Sequence, residues 1–512
     1  MGRQAGWLSQ RVCPGPPPRA PSRAASGIGT ERRRWQVGRS AGPETAGRVA
    51  GRGNHSVTPT TARFFILGCQ GSIEARVNMS ELSWEEWIRQ ADDPRDAFAK
   101  PEALDDLLVV DVSRQSVAGM VCTALLAELG AQVLKVEPPG GDPARAWGPP
   151  DFTHRGEGLA YLAEGRNKYY ITLNLELDEG REIFRQFARR ADVVIEAYSP
   201  GQMDRWGIGY RQLGPENPGL IYVAISAAGH YGPRAADGMR EHDLTSQAAS
   251  GLTFITGEPE SDNAGPAGVP TKAGPWLAGY AGGAWAAFGV LGALHYRHVT
   301  GRGQMVDVTP AESLMRYLEY TLLWYHIDGR IRERVGYYDF AVFPYTFIRV
   351  KDGWAFIAGY TDPNFQAICR IMERPDLAQD PRFANVWARV QPENERALRD
   401  EIEAWSVRRT SDEILEKVMA DPGPGVVVFG RVETPVEVLS RENWWERGCF
   451  AKFSDPMYGD LTLQMPVWRM TETPPRIRWA CRPAGYHNGY IYQKYLGWGP
   501  GHLTALRSRG AI

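Results

Sequence analysis

The sequence predicts an α/β fold, with an open, parallel, Rossmann-like sheet in a large domain and a smaller α+β domain beside it. Two observations carry this prediction. Between residues 105 and 225, short apolar runs alternate with amphipathic stretches of helical period, the order that builds βαβ units. After residues 306–308 the alternation ends, and a mixed pattern of helices and a hairpin follows. The 512 residues suffice for two or three domains.

The first βαβ unit comes directly after a polar lead-in. Residues 107–112 (LLVVDV) form an apolar run typical of a strand that is buried on both faces. A short helix is predicted from Met120 to Leu129, and Gly130 suits the positive φ that often ends a helix. Residues 132–136 (QVLKV) form the next strand. Further elements of the sheet region are strands at 170–175, 192–196, 220–225 and 306–308, and a helix at 180–190.

An uncharged stretch at residues 276–294 is nearly long enough to cross a bilayer. Its composition is rich in Gly and Ala rather than Leu and Ile, and His295 and Arg297 follow at once. These features favour a buried helix packed closely on the sheet over a membrane span.

The second half of the chain predicts a different architecture. An aromatic-rich helix is expected at residues 314–327, followed by a hairpin turned by Asp352 and Gly353. Helices are then expected at 365–372, 397–406 and 411–419. We therefore predict a lead-in at 79–104, the large domain at 105–329, the small domain at 330–435, and a segment at 436–512 that returns to the large domain.

Residues 1–78 are rich in Arg, Pro and Gly, contain no Lys and show no hydrophobic period. An Arg-rich start resembles a transit peptide, but the proline run at residues 14–18 is poor material for an amphipathic helix. We favour a mis-assigned start ahead of a true start at Met79, and in either case we expect a disordered extension.

Bulk composition excludes several classes of function. A net charge of -2 does not favour binding to nucleic acid or to an anionic membrane. The six cysteines are far apart and form no CxxC pair, which indicates reduced thiols in the cytoplasm and no metal site. Neither GxGxxG nor GxxxxGK[ST] is present, so a nicotinamide or ATP enzyme is disfavoured.

Five short blocks occur in a fixed order between residues 105 and 320: LGAQVLKVE (129–137), GDPAR (141–145), RNK with TLNL (166–175), ADVVIE with PG and Arg205 (191–205), and TGRGQ with VDV (300–308). Each block alone is weak. Together they resemble the family III CoA-transferases, the group that includes formyl-CoA transferase, carnitine CoA-transferase and α-methylacyl-CoA racemase.

The resemblance implies an interlocked dimer that uses coenzyme A and acyl-CoA as substrates, with a carboxylic acid as acceptor and no permanently bound cofactor. It implies that Val117 and Ala118 line the adenosine region after the first strand, that Leu173 and Tyr198 pack on the nucleotide, and that Arg205 faces its phosphates. For Leu173 the alternative is plain core packing, and for Arg205 it is a solvated helix face.

The family's nucleophile is an aspartate about ten residues before a helix that here begins GVLGAL at residue 289. Counting back reaches Gly279, and no aspartate occurs between residues 264 and 298. A second constellation, Glu241-His242-Asp243, stands where the racemase branch has GHD with a catalytic histidine. His242 and Asp243 are therefore candidate catalytic residues, although Asp243 could instead cap a helix over residues 244–249.

Three hypotheses remain open at this point. In the first, the chain is one subunit of a heteromeric transferase whose homologous partner carries the aspartate, as in the two-subunit benzylsuccinate CoA-transferases that it resembles. In the second, it is a homodimeric transferase or racemase-like isomerase that uses His242 and Asp243 in altered roles. In the third, it binds CoA without catalysing a reaction.

Overall fold

A computed structural model describes residues 83–91, 96–237, 239, 241–259 and 269–512. The predictions for residues 1–78 fall outside the described residues. So does the beginning of the lead-in at residues 79–82.

The large domain is built on a six-stranded parallel sheet, as the sequence predicted. The strand order is β3-β2-β1-β4-β5-β6, the doubly wound order of Rossmann-like folds. Val110, at the centre, lies opposite Leu134 on one side and opposite Val194 on the other. The strands are β1 (Leu108–Asp111), β2 (Gln132–Glu137), β3 (Tyr169–Thr172), β4 (Val193–Glu196), β5 (Ile221–Ile225) and β6 (Met305–Val308).

Helices cover both faces of this sheet. Those up to residue 300 are α1 (Trp84–Ala91), α2 (Val117–Glu128), α3 (Leu159–Glu164), α4 (Asp178–Ala188), α5 (Gln202–Arg205), α6 (Tyr210–Glu216), α7 (Asp243–Ala249), α8 (Leu252–Ile255) and α9 (Leu277–Thr300). Val109 faces the core that contains α2 and α9, whereas Val110 faces the core that contains α4. Alternate residues of β1 therefore pack in two different cores, one on each face of the sheet, which explains the continuous apolar run in the sequence.

Helix α9 corresponds to the uncharged stretch of the sequence. By length and composition it is the one helix of the described chain that could cross a membrane. About half of its most apolar part is buried, because α9 packs on α2, β5 and β6. Its outer face remains exposed, with Trp285 and Phe288 among its apolar residues.

One predicted helix is broken in the structure. The sequence indicated a continuous helix at 314–327, but α10 (Pro310–Met315) gives way to a 3-10 turn, and α11 (Thr321–Asp328) begins after it. Glu319 between them has φ of 53°. A residue with positive φ cannot continue a right-handed helix, so the chain changes direction there.

The region after residue 330 has its own hydrophobic core, in which Ile348, Phe365 and Leu398 are buried. An antiparallel sheet in the order β7-β8-β9 supports it. The elements are β7 (Tyr345–Val350), β8 (Gly353–Ala358), α12 (Asp362–Ile371), α13 (Val386–Arg389), α14 (Pro392–Ser406), α15 (Ser411–Ala420) and β9 (Val428–Arg431). The hairpin was predicted, whereas β9 and α13 were not. The domain boundaries stay predictions.

The C-terminal segment lies in the cores of the large sheet. Its elements are α16 (Pro435–Ser440), α17 (Glu442–Glu446), β10 (Phe450–Asp455), β11 (Gly459–Gln464), α18 (Asn488–Leu496) and α19 (Pro500–Ser508). Ile491, Leu503 and Ile512 are buried in the core that contains Val110. Asn488 also bonds to β3, because its Oδ1 accepts from Thr172 N at 2.9 Å and its Nδ2 donates to Thr172 Oγ1 at 2.8 Å.

Candidate active site

A cavity of about 520 Å³ opens at the carboxyl ends of the parallel strands. Open α/β sheets bind their ligands at this edge, because the loops after several strands converge there. Its wall is formed by residues 114–116 after β1, 136–138 at the end of β2, 173–176 after β3, 197–199 after β4, 225–226 at the end of β5, and 239, 241 and 242, with Trp147, Gln202 and Trp206.

Two of the predicted CoA-binding residues lie on this wall. Leu173 lines the cavity, and most of its side chain is buried in the core of the sheet. Its packing on the nucleotide stays a prediction. Tyr198 lines the cavity as well and packs edge to face on Trp206, with ring centroids 5.2 Å apart. Burial raises the pKa of the Tyr198 hydroxyl, and the nearby Arg114 partly opposes that shift.

Val117 and Ala118 lie beside the cavity and are not part of its wall. Both are buried in the first turn of α2. The residue of this loop that reaches the cavity is Ser116, which also caps α2 by accepting the Gly119 N–H at 3.1 Å. A Cβ atom on Gly119 would collide with Ser113, so the start of α2 lies directly against the loop that follows β1.

Arg205 ends the short helix α5 and is exposed. Its Nη2 donates to Gln202 Oε1 at 2.7 Å, and Gln202 lines the cavity. The guanidinium therefore lies near the rim of the cavity but not on its wall. A long ligand that extended beyond the rim could reach it.

Arg114 is a cavity residue that the sequence reasoning missed. The described wall contains no other lysine or arginine. The Nε atom of Arg114 is buried and has no hydrogen-bond partner among the described residues. Nearby cations are already paired, since Lys135 contacts Asp111 at 3.3 Å and Arg145 contacts Glu137 at 2.8 Å. Arg114 is thus the available cation for an anionic ligand.

Glu241 is a second missed residue. Its carboxyl group lines the cavity, and Ser116 Oγ donates to its Oε2 at 3.3 Å. Burial raises the pKa of Glu241 to about 7; the Ser116 hydrogen bond opposes the shift and the charge of Asp243 adds to it. His242 lines the same wall and is exposed.

Asp243 is buried, and both of its oxygens are occupied. Oδ1 accepts the N–H groups of Ala278 at 2.8 Å and Gly279 at 3.1 Å, and Oδ2 accepts Gln247 Nε2 at 2.7 Å. The expected cap was on a helix at 244–249. Instead Asp243 is the first residue of α7, and its side chain caps α9, whose own N-cap residue Trp276 makes no such bond. The catalytic role predicted for Asp243 stays a prediction.

Gly279 lies in the first turn of α9, with no open space beside its Cα. A Cβ atom placed there would be 2.5 Å from Val117 Cβ and 2.7 Å from Val117 Cγ1. Both distances are far inside van der Waals contact. The first turns of α2 and α9 therefore touch directly, and they leave no room for a carboxylate at residue 279.

With this geometry in place, comparison with known proteins decides the family. The sequence model of CoA-transferase family III matches residues 104–488. The chain belongs to this family.

Relatives named as CoA-transferases match most of the chain. The succinyl-CoA–D-citramalate CoA-transferase of Chloroflexus aurantiacus is 34% identical, over 80% of this chain and 98% of that protein. The alpha and beta subunits of a succinyl-CoA–L-malate CoA-transferase of the same species are each 32% identical, over 80% and 77% of this chain and 92% and 95% of the subunits.

A solved family III structure shares the fold. It is a CAIB/BAIF family protein from Brucella suis that is 29% identical and superposes with a TM-score of 0.67, covering 77% of this chain and all of that one. The recognition of the family, its α/β fold and its transferase class from sequence is confirmed.

Proposed function

We propose that this chain transfers CoA between the thioester of a small dicarboxylic acid and a second carboxylic acid, working in an assembly with a homologous subunit. CoA and acyl-CoA are its substrates, and no permanently bound cofactor is required. The relatives support CoA transfer between an acyl-CoA and an acid, since the three named above are succinyl-CoA transferases.

The observation that carries the dicarboxylate proposal is the unpaired guanidinium of Arg114 in the cavity. A succinyl group keeps one free carboxylate after the other has become a thioester. Burying that carboxylate is unfavourable unless a cation or several donors meet it, and an arginine can bind it with two parallel hydrogen bonds. Arg114 offers the buried Nε–H for such a bond.

The nucleotide part of CoA is proposed to follow the rim. Tyr198 and Leu173 would contact the adenosine, and Arg205 would meet a phosphate beyond the edge of the cavity. Val117 and Ala118 would act from behind the wall, by shaping the start of α2. Support for this arrangement comes from the family assignment and from the position of Tyr198 next to Trp206.

We further propose an interlocked dimer, in which apolar side chains now exposed become covered. Exposed apolar residues occur on the outer face of α9 and on α11, and they include Phe288, Leu322, Leu323 and Ile327. Exposed apolar side chains grouped on two helices favour an interface between chains. The alpha and beta subunits among the relatives support a heteromer as well as a homodimer.

The nucleophile has two possible sources, because the space at Gly279 is closed. One is an aspartate of a homologous partner, as the heteromer hypothesis requires. The other is a different carboxylate on this chain's own cavity wall. A racemase-like function is less well supported, because it needs bases on both faces of the substrate α-carbon, and Asp243 is committed to capping α9.

We place this activity in the cytoplasm. Four cysteines of the described residues, Cys122, Cys369, Cys449 and Cys481, are free thiols, as expected for a reducing compartment.

The test is an assay of the purified chain with succinyl-CoA and a panel of acceptors that includes citramalate, malate and acetate. Formation of the new acyl-CoA is followed by liquid chromatography, with the chain alone and after mixing with a homologue that has aspartate at the position of Gly279. Transfer to dicarboxylates in either arm supports the proposal. Binding of CoA without transfer in both arms would leave the non-catalytic hypothesis.

A further inference from the structure

We infer that Glu241 is the carboxylate nucleophile of this chain, in place of the aspartate that Gly279 lacks. The inference rests on the proposed CoA transfer and names the group that carries its first covalent step. It makes an aspartate from a partner subunit unnecessary.

The first support is position. Glu241 and Ser116 lie on the same cavity wall, 3.3 Å apart between Oε2 and Oγ. Ser116 precedes Val117, the residue that fills the space beside Gly279. Two residues after Glu241, Asp243 bonds to the Gly279 N–H at 3.1 Å. Glu241 lines the cavity, and through Ser116 and Asp243 it is linked to the place where the family aspartate would start.

The second support is elimination. Three carboxylates line the cavity: Glu137, Glu176 and Glu241. Glu137 is held by Arg145 at 2.8 Å and by the Tyr161 hydroxyl at 2.6 Å, so its lone pairs are engaged. Glu176 is exposed on the loop after β3. Among the described residues of the wall, Glu241 combines partial burial with a single weak hydrogen bond.

The third support is reactivity. A carboxylate surrounded by few donors keeps its lone pairs available for attack. Partial burial that raises the pKa of Glu241 to about 7 also makes its anion less stabilised by solvent, while a substantial fraction stays ionised at neutral pH. The Ser116 hydroxyl can orient the carboxylate without neutralising it.

The reaction balances as a chain of acyl exchanges. A Glu241 oxygen attacks the thioester carbonyl, the C–S bond breaks, and CoA leaves as thiolate, which gives a mixed anhydride on Glu241. The thiolate then attacks the Glu241 carbonyl carbon, releasing the donor carboxylate and leaving a glutamyl-CoA thioester. The acceptor carboxylate repeats these two steps in reverse, so that CoA leaves on the acceptor and Glu241 is regenerated. No proton, oxidant or reductant is consumed.

The test traps the thioester on the isolated wild-type chain. The chain is incubated with succinyl-CoA, treated with hydroxylamine and digested, and the peptides are sequenced by mass spectrometry. We expect a hydroxamate on Glu241 that depends on succinyl-CoA. Glu241→Gln should abolish it and lower the transfer rate about 10³-fold or more, as for loss of a nucleophile. Calorimetry with free CoA shows whether this variant still folds and binds.

The control is Glu182→Gln, an exposed glutamate on α4 away from the cavity, which should transfer at the wild-type rate. If Glu241→Gln transfers CoA as fast as wild type, or if the hydroxamate forms on another residue, Glu241 is not the nucleophile and the proposed function stands. Wild-type activity that appears only on mixing with an aspartate-bearing homologue also overturns the inference and supports the heteromer. Absence of transfer in every arm overturns the proposed function itself.

Discussion

Arg114 and Arg205 differ in where their charge lies. Arg114 has a buried, unpaired Nε on the cavity wall, whereas Arg205 is exposed and bonded to Gln202. We predict that Arg114→Gln weakens succinyl-CoA binding by about 1.5–3 kcal/mol, the range for a hydrogen bond to a charged group. It should affect acetyl-CoA, which has no second carboxylate, much less.

Arg205→Ala should weaken both thioesters equally, by about 1–3 kcal/mol, if its guanidinium meets a CoA phosphate. Calorimetry with succinyl-CoA, acetyl-CoA and free CoA separates the two roles. An equal loss for both thioesters in Arg114→Gln would assign Arg114 to the CoA moiety instead of the acyl carboxylate. Unchanged affinities in Arg205→Ala would return that residue to the solvated helix face.

Asp243 can be tested for structural and catalytic roles separately. Replacing it by Ala leaves the N–H groups of Ala278 and Gly279 without their acceptor, so we predict a loss of about 1–3 kcal/mol in the free energy of unfolding, measured with urea. Asp243→Asn keeps one acceptor oxygen and should lose less. If Asp243→Asn is stable but transfers CoA at a strongly reduced rate with unchanged affinity, Asp243 takes part in the chemistry.

At the scale of elements, the contact between α2 and α9 decides whether the family aspartate can be restored. We predict that Gly279→Asp alone destabilises the protein by about 1–3 kcal/mol through overpacking, because its Cβ would lie 2.5 Å from Val117 Cβ. Adding Val117→Ala keeps the Cβ atom of residue 117 and should recover only part of the lost stability. Adding Val117→Gly removes that atom and with it the clash.

Urea unfolding of the single and double variants measures this coupling. Val117→Gly alone provides the control for the loss of helix propensity. If the changes in the free energy of unfolding of the two single variants add up to that of the double variant, α2 moves freely away from α9, contrary to the packing described. A Gly279→Asp/Val117→Gly variant with activity independent of Glu241 would also show that two nucleophile positions are interchangeable.

The elements predicted correctly from sequence are those whose pattern is local. Residues 107–112 and 220–225 read as buried strands, because both faces of these strands pack in cores. The break in the helix at 314–327 was missed, because the positive φ of Glu319 leaves no signal in an aromatic-rich segment without Gly or Pro. Strand β9 was missed because it pairs with residues of β8 that lie 70 to 76 positions earlier in the chain, and its short run contains Gly430.

The site was predicted less well than the fold. Resemblance drew attention to Val117 and Ala118, whereas the wall is formed by their neighbours Arg114 and Ser116. The position of Arg114 after the first strand was a signal that could have been used, since ligands bind at that edge. The sequence places Glu241 beside His242 but gives no sign of its closeness to Ser116, because that contact depends on packing between segments distant in sequence.

At the scale of the whole molecule, the exposed apolar residues of α9 and α11 predict a dimer. Light scattering should give twice the chain mass of 56.9 kDa. We predict that Ile327→Glu yields a monomer, because a charge would be buried at the interface. Met419→Glu, at an equally exposed apolar residue of the small domain, is the control and should leave the dimer intact. A wild-type chain that stays monomeric at micromolar concentration, both alone and after mixing with the aspartate-bearing homologue, would contradict the interlocked arrangement.

The C-terminal segment delays completion of the large-domain core until the end of synthesis. The core that contains Val110 also includes Ile491, Leu503 and Ile512. The apolar face of the sheet on this side therefore stays partly uncovered until those residues leave the ribosome. At about 5–20 residues per second, roughly 20–80 s separate the emergence of the first strand from that of its last packing partners. During that interval the nascent sheet presents an open apolar face, and a chaperone that binds it would set the yield of folded enzyme in the cell.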